Sequence, residues 1–99
     1  MSAYIIGQVK VKNRALWEQY VAGVALSLQA FEAKVLVRGQ FQQALAGKAD
    51  ISDSVVIEFS NSEQLNRWFH SNDYQQLITL RDQAASVSIN SYVTERLIK

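Results

Sequence analysis

The tightest constraint on this chain is the order of its hydrophobic periods. Four short stretches alternate with period 2, as a half-buried strand requires, and two longer stretches between them repeat with period 3.6, as an amphipathic helix requires. In residues 3–11, Ala3, Ile5, Gly7, Val9 and Val11 fall on one side and Tyr4, Ile6, Gln8 and Lys10 on the other. Asn13 then offers an N-cap side chain, and Trp17, Tyr20, Val21, Val24, Leu28 and Phe31 mark a helix of roughly four to five turns. Residues 34–39 read as a second strand, with Gly39 the expected site of a kink or bulge and Phe41 to Leu45 its continuation. Residues 54–59 are a third strand. Ser60, with Glu63 three residues on, has the spacing of a capping box and opens a second helical region. Ser71 or Asn72 recaps a further helical segment through Ala85, and Val87 to Val93 alternate as the last strand.

The order β-α-β-β-α-β, with right-handed crossovers, predicts an α+β, ferredoxin-like domain over residues 1–99: a four-stranded antiparallel sheet with both helices on one face. A chain of 99 residues holds one modest core, burying only about 65% of its unfolded surface. Its composition narrows the chemistry. With no cysteine and one histidine, His70, disulfide frameworks, thiolate nucleophiles, cysteine-ligated metals and multi-histidine zinc sites are excluded. No paired carboxylates, glycine-rich phosphate loop or nucleophile elbow stands out, so neither a metal nor a cofactor is expected. Ten basic and nine acidic residues leave no electrostatic footprint for nucleic acid or an anionic membrane. The start of the chain lacks the pattern of a signal peptide, and no apolar run approaches the roughly 20 residues that span a bilayer. A soluble, cytoplasmic protein is the expectation.

The two faces of the sheet differ. One set, from Ala3, Ile5 and Val9 through Val35, Val37, Val55, Ile57 and Phe59 to Val87, Ile89 and Val93, is uniformly apolar and is expected to meet the helices. The other includes Tyr4, Ile6, Gln8, Arg38, Val56, Glu58 and Tyr92, a mixture of large apolar and polar groups. A patch of that character marks a protein–protein contact, and a closed twofold homodimer is the commonest such assembly. A solvated sheet face with a few surface aromatics is the plainer alternative.

A second feature is an arginine within an apolar stripe. Tyr74, Leu77, Ile78, Ala84 and Ala85 form one face of the later helical segment, and Arg81 falls in its middle. A guanidinium aimed at a core must find a carboxylate, carbonyls or a bound anion. The structural reading pairs it with Glu58 or Glu32, or with strand-end carbonyls, and the functional reading makes it the anchor for a ligand's polar or anionic group. Trp17 and Tyr20 on the first helix, and Trp68 and Phe69 on the second, fit a core or the wall of a cavity. His70 falls off the Leu65–Trp68–Phe69 face and is expected in solvent.

The run from Leu65 to Ser71, followed by Tyr74 to Arg81, resembles a family of short bacterial proteins known as domain of unknown function 1330, within the dimeric α/β-barrel superfamily. Tyr4 to Gln8, Trp17 with Tyr20, Arg38-Gly39 and Val56 to Phe59 fall where that family has similar residues, so the likeness spans nearly the whole chain. It differs at Arg14 and Asn72, where the family often has proline. The resemblance implies a ferredoxin-like fold and a dimer whose two sheets close into a barrel. It also implies that Arg81, Trp68 and Tyr74 occupy family positions. Superfamily members include cofactor-independent monooxygenases and haem-degrading enzymes, but His70 is roughly 200° round the helix from Trp68, so haem chemistry is not carried over. The expected function is binding of a small polar or anionic molecule between sheet and helices, by Arg81, Trp68, Tyr74 and Tyr20. The alternatives are a structural or regulatory dimer without ligand and a cofactor-independent monooxygenase-like enzyme.

Overall fold

The computed structural model describes residues 1–94. In chain order it contains β1 (Ala3–Val11), α1 (Arg14–Leu28), β2 (Ala33–Gln40), β3 (Asp53–Phe59), α2 (Ser62–Phe69), α3 (Asn72–Gln75), α4 (Ile78–Ala84) and β4 (Ala85–Val93). The strands form one antiparallel sheet in the order β2-β3-β1-β4. This is the ferredoxin-like α+β architecture that the alternation of periods predicts.

Local chemistry explains most of the element boundaries. The Asn13 side chain accepts from the Leu16 amide and starts α1. The same short turn donates two backbone amides, Lys12 and Asn13, to the Ala84 carbonyl, which ties the β1–α1 turn to the junction where α4 runs directly into β4. The cap of α2 is Asn61 rather than Ser60: its side chain accepts from the Gln64 amide. Ser71 caps α3 through the Tyr74 amide. What the sequence pattern joins into one segment is two short helices, α3 and α4, separated at Gln76 and Leu77.

The helix-side face of the sheet builds the core. Ala3, Ile5 and Val9 of β1 and Ile57 and Phe59 of β3 are buried together with Trp17, Tyr20, Leu28, Leu65, Trp68 and Tyr74 from the helices. At Gly23 the α1 backbone packs closely against Leu77, since a Cβ there would lie 2.6 Å from Leu77 Cδ2. Opposite the helices, the sheet face is left open, and Tyr4, Ile6, Gln8, Val56, Glu58 and Tyr92 share it by register.

One irregularity changes the composition of both faces. Val35 pairs with Ile57, but Val37 pairs with Val56 and Arg38 with Val55, so Leu36 is the extra residue of a β-bulge. An extra residue reverses the parity of everything beyond it. Val37, expected in the core, therefore lies on the open face and is 53% exposed. Arg38, expected on that open face among the dimer-contact residues, shares the helix-side face with Val55 instead. The bulge is not at Gly39, and β2 stops at Gln40: Phe41 to Leu45 form no strand and are exposed. Val93 aligns with Ala3 on the helix side, yet among the described residues it is 58% exposed.

Candidate functional site

The helix layer does not cover the sheet evenly. Val35 faces the helices, yet it is 42% exposed, because α1 stands away from β2. The space left between α1 and the β2–β3 side of the sheet is a cavity of about 430 Å3. Ile5, Val9, Val55 and Ile57 form its floor on the sheet, and Val21 and Val24 its apolar wall on α1. Four aromatic residues complete it: Trp17 and Tyr20 from α1, Trp68 from α2 and Tyr74 from α3. They form a continuous cluster, with ring centroids 5.0 Å apart for Trp17–Tyr20, 6.4 Å for Tyr20–Tyr74 and 4.3 Å for Trp68–Tyr74. Phe69, equally eligible by periodicity, packs between Tyr74 and His70 and does not line the space. His70 is exposed at the end of α2, as expected.

Each buried polar atom in this wall has a partner. Trp68 Nε1 donates to Ser27 Oγ at 2.9 Å, and Ser27 Oγ donates to the Val24 carbonyl at 2.7 Å, which fixes the indole against α1. The Tyr20 and Tyr74 hydroxyls share a hydrogen bond of 2.9 Å. Burial pushes the Tyr20 pKa up, and the neighbouring Tyr74 hydroxyl adds to the rise, so Tyr20 stays a neutral phenol.

Arg81 stands behind this pair. Its Nη1 donates to the Tyr74 hydroxyl at 3.1 Å, and its Nε to Asp82 Oδ1 at 3.0 Å. Neither Glu58 nor Glu32 is its partner. Glu58 lies on the open sheet face, where it accepts from the Tyr4 hydroxyl at 2.8 Å and pairs with Lys34. Nor is Arg81 among the residues that line the cavity. Partial burial lowers the Arg81 pKa, but its hydrogen bonds to Asp82 and Tyr74 outweigh this, and the net shift is upward. The guanidinium thus remains a fixed positive charge that acts on the cavity through one phenol oxygen. Of the four residues expected to hold a ligand, the structure brings Trp68, Tyr74 and Tyr20 to the cavity and sets Arg81 one layer back.

The rim of the cavity was not foreseen from periodicity. Arg14 Nη1 and Nη2 donate to the two carboxylate oxygens of Asp53 at 3.1 and 3.0 Å, a bidentate pair joining the first turn of α1 to the start of β3. That hydrogen bonding holds the Asp53 carboxyl below its usual range, although burial opposes the shift. Glu18 and Arg38 complete the exposed charged rim. The proline-replacing Arg14 was the visible signal. Its partner lies 39 positions away, where only the fold brings it into reach.

A four-stranded antiparallel sheet with helices on one face and an aromatic cavity between the layers defines a protein of the ferredoxin-like class. The sequence matches the family described as Domain of unknown function (DUF1330) over residues 2–93, and the chain belongs to it. No curated protein matches the sequence. Among solved structures, a protein of unknown function from Rhodopseudomonas palustris superposes with a TM-score of 0.80 at 14% identity, covering 97% of this chain and 84% of that one. SnoaB, a cofactor-independent oxygenase from Streptomyces nogalater, gives a TM-score of 0.71 at 9% identity, covering 98% and 96%. A dimeric ferredoxin-like protein of unknown function from Thermobifida fusca gives 0.69 at 12% identity, covering 95% and 92%. At these identities the likeness is one of fold.

Proposed function

We propose that this chain is a cytoplasmic homodimer that binds a small molecule with a polar or anionic group in the cavity between the sheet and α1. The observation that carries this reading is the cavity itself: about 430 Å3 in a chain of 99 residues, walled by four aromatic residues. Protein interiors are otherwise close-packed, with few spaces larger than a water molecule. A mostly apolar pocket with a few placed polar groups is the usual form of a small-molecule site. Trp68, Tyr74 and Tyr20 wall the ligand, and Arg81 acts on it by holding the Tyr74 hydroxyl. Residues Tyr4, Ile6, Gln8, Val56, Glu58 and Tyr92 supply the dimer face.

The test is a thermal-shift screen of small aromatic and carboxylate metabolites against the wild type and Val24→Phe, which fills the cavity. At least one compound raises the wild-type melting temperature, and the variant folds but loses that response. A wild type that no compound stabilises, or a variant that responds equally, overturns the reading. A dimer without ligand would leave this space unused, which disfavours that alternative. Cofactor-independent oxygenation is a second reading, supported by the fold shared with SnoaB and by the indoles of Trp17 and Trp68 in the wall. It predicts oxygen uptake with a bound substrate of the stabilising class.

A further inference from the structure

The bulge at Leu36 has a chemical consequence at the cavity rim. Without it, strict alternation would place Arg38 on the open sheet face with Val56. With it, Arg38 lies beside Val55 and lines the cavity. Bulges recur beside functional sites because they re-aim one side chain without breaking the sheet.

The charges around Arg38 are unequally committed. Asp53, the nearest acid by register since it begins the neighbouring strand, already has both oxygens engaged by Arg14. Among the described residues, Arg38 itself takes part in no ion pair. A guanidinium presents five N–H donors in a planar fork that matches a carboxylate. Below it lies a floor of Val55, Ile57 and Val35, facing the rings of Trp17 and Tyr20. The arrangement is an apolar slot whose rim carries Arg38, a planar cation in none of these ion pairs that acts on Asp53 only through its charge, together with Glu18.

We infer that the molecule bound in this cavity is an organic carboxylate with a flat apolar body, the body lying between sheet and aromatic wall and the carboxylate held by Arg38. This rests on the cavity being a ligand site and adds the class of ligand and the residue that selects it. It moves the anionic anchor from Arg81, which is spent on Tyr74 and Asp82, to Arg38.

A matched pair of probes tests it: 2-naphthoate and 2-naphthamide, which share one ring system and differ in charge, titrated by calorimetry at neutral pH. Wild type binds the acid roughly tenfold more tightly than the amide, the size expected of a hydrogen-bonded charge. Arg38→Gln removes that preference and leaves amide binding within about twofold. Arg67→Gln, an exposed arginine on α2, controls for net charge and changes neither. Amide binding equal to acid binding in the wild type overturns the assignment to carboxylates while leaving the ligand cavity standing. Acid preference that survives Arg38→Gln, or falls equally in Arg67→Gln, overturns the role of Arg38. If neither probe binds, this assignment falls. The ligand cavity falls with it only if the metabolite screen is also negative.

Discussion

At the scale of single residues, Ser27 shows how a small polar side chain can govern a large aromatic one. It lies on the apolar stripe of α1, three residues after Val24, and is only 4% exposed. Its hydroxyl accepts from the Trp68 indole and passes its own hydrogen to the Val24 carbonyl. Ser27→Ala therefore leaves the indole N–H buried without a partner. The expected loss of stability is about 1–3 kcal/mol, read as a lower urea midpoint at unchanged m-value. A change below about 0.5 kcal/mol, typical of neutral surface positions, would show that water replaces the serine. The burial of Trp68 was legible in the spacing of apolar residues. The identity of its partner was not, because a hydrogen bond across 41 positions leaves no periodic trace.

At the scale of elements, α1 is fastened to β3 by charge as well as by packing. Arg14 lowers the Asp53 pKa from its ordinary value of 3.8, so the folded state favours the ionised carboxylate. A group with a depressed folded pKa contributes stability that is present above its unfolded pKa and lost as pH falls through the folded value. Wild type should thus lose stability as pH falls below the ordinary 3.8, in part through this pair. Asp53→Asn keeps the size and lacks that component, so its melting temperature falls less steeply with acid over the same range. Parallel acid profiles for the two proteins would remove Asp53 from the account. The elements themselves were largely legible: β1 and the start of α1 coincide with the alternating run and the Asn13 cap. The end of β2 and the split between α3 and α4 were not. In β2, a single inserted residue leaves the composition apolar on both sides, so the parity change is visible only against the partner strand.

At the scale of the whole molecule, the Cα atoms of the described residues extend 41 × 38 × 16 Å, a slab one sheet and one helix layer thick. Its open sheet face exposes Ile6, Leu36, Val37 and Tyr92 by 37–53%, while Glu58 on the same face is already engaged by Tyr4 and Lys34. A second copy placed face to face would cover these apolar groups and leave the cavities on the outer sides. Light scattering at micromolar concentration is expected to give about twice the 11.2 kDa of one chain. Ile6→Lys should return the mass to that of a single chain, since it puts a charge into the middle of the contact. A wild type of one chain's mass under those conditions would rule the dimer out. The mixed character of this face could be read from alternation, although Arg38 had to be exchanged for Val37 in its membership.

The sequence alone determined the order of elements, the strand faces on β1 and β3, the first helix cap and the burial of Trp17, Tyr20, Trp68 and Tyr74. These follow from short-range periodicity and local hydrogen bonding, which depend on neighbours a few residues apart. Only the tertiary structure decided which of the buried rings border open space, that Arg81 is spent on Tyr74 and Asp82, and that Arg38 faces the cavity. Those outcomes depend on register, on a bulge and on pairings between segments tens of residues apart, where the energy of a contact is set by geometry that no local pattern encodes.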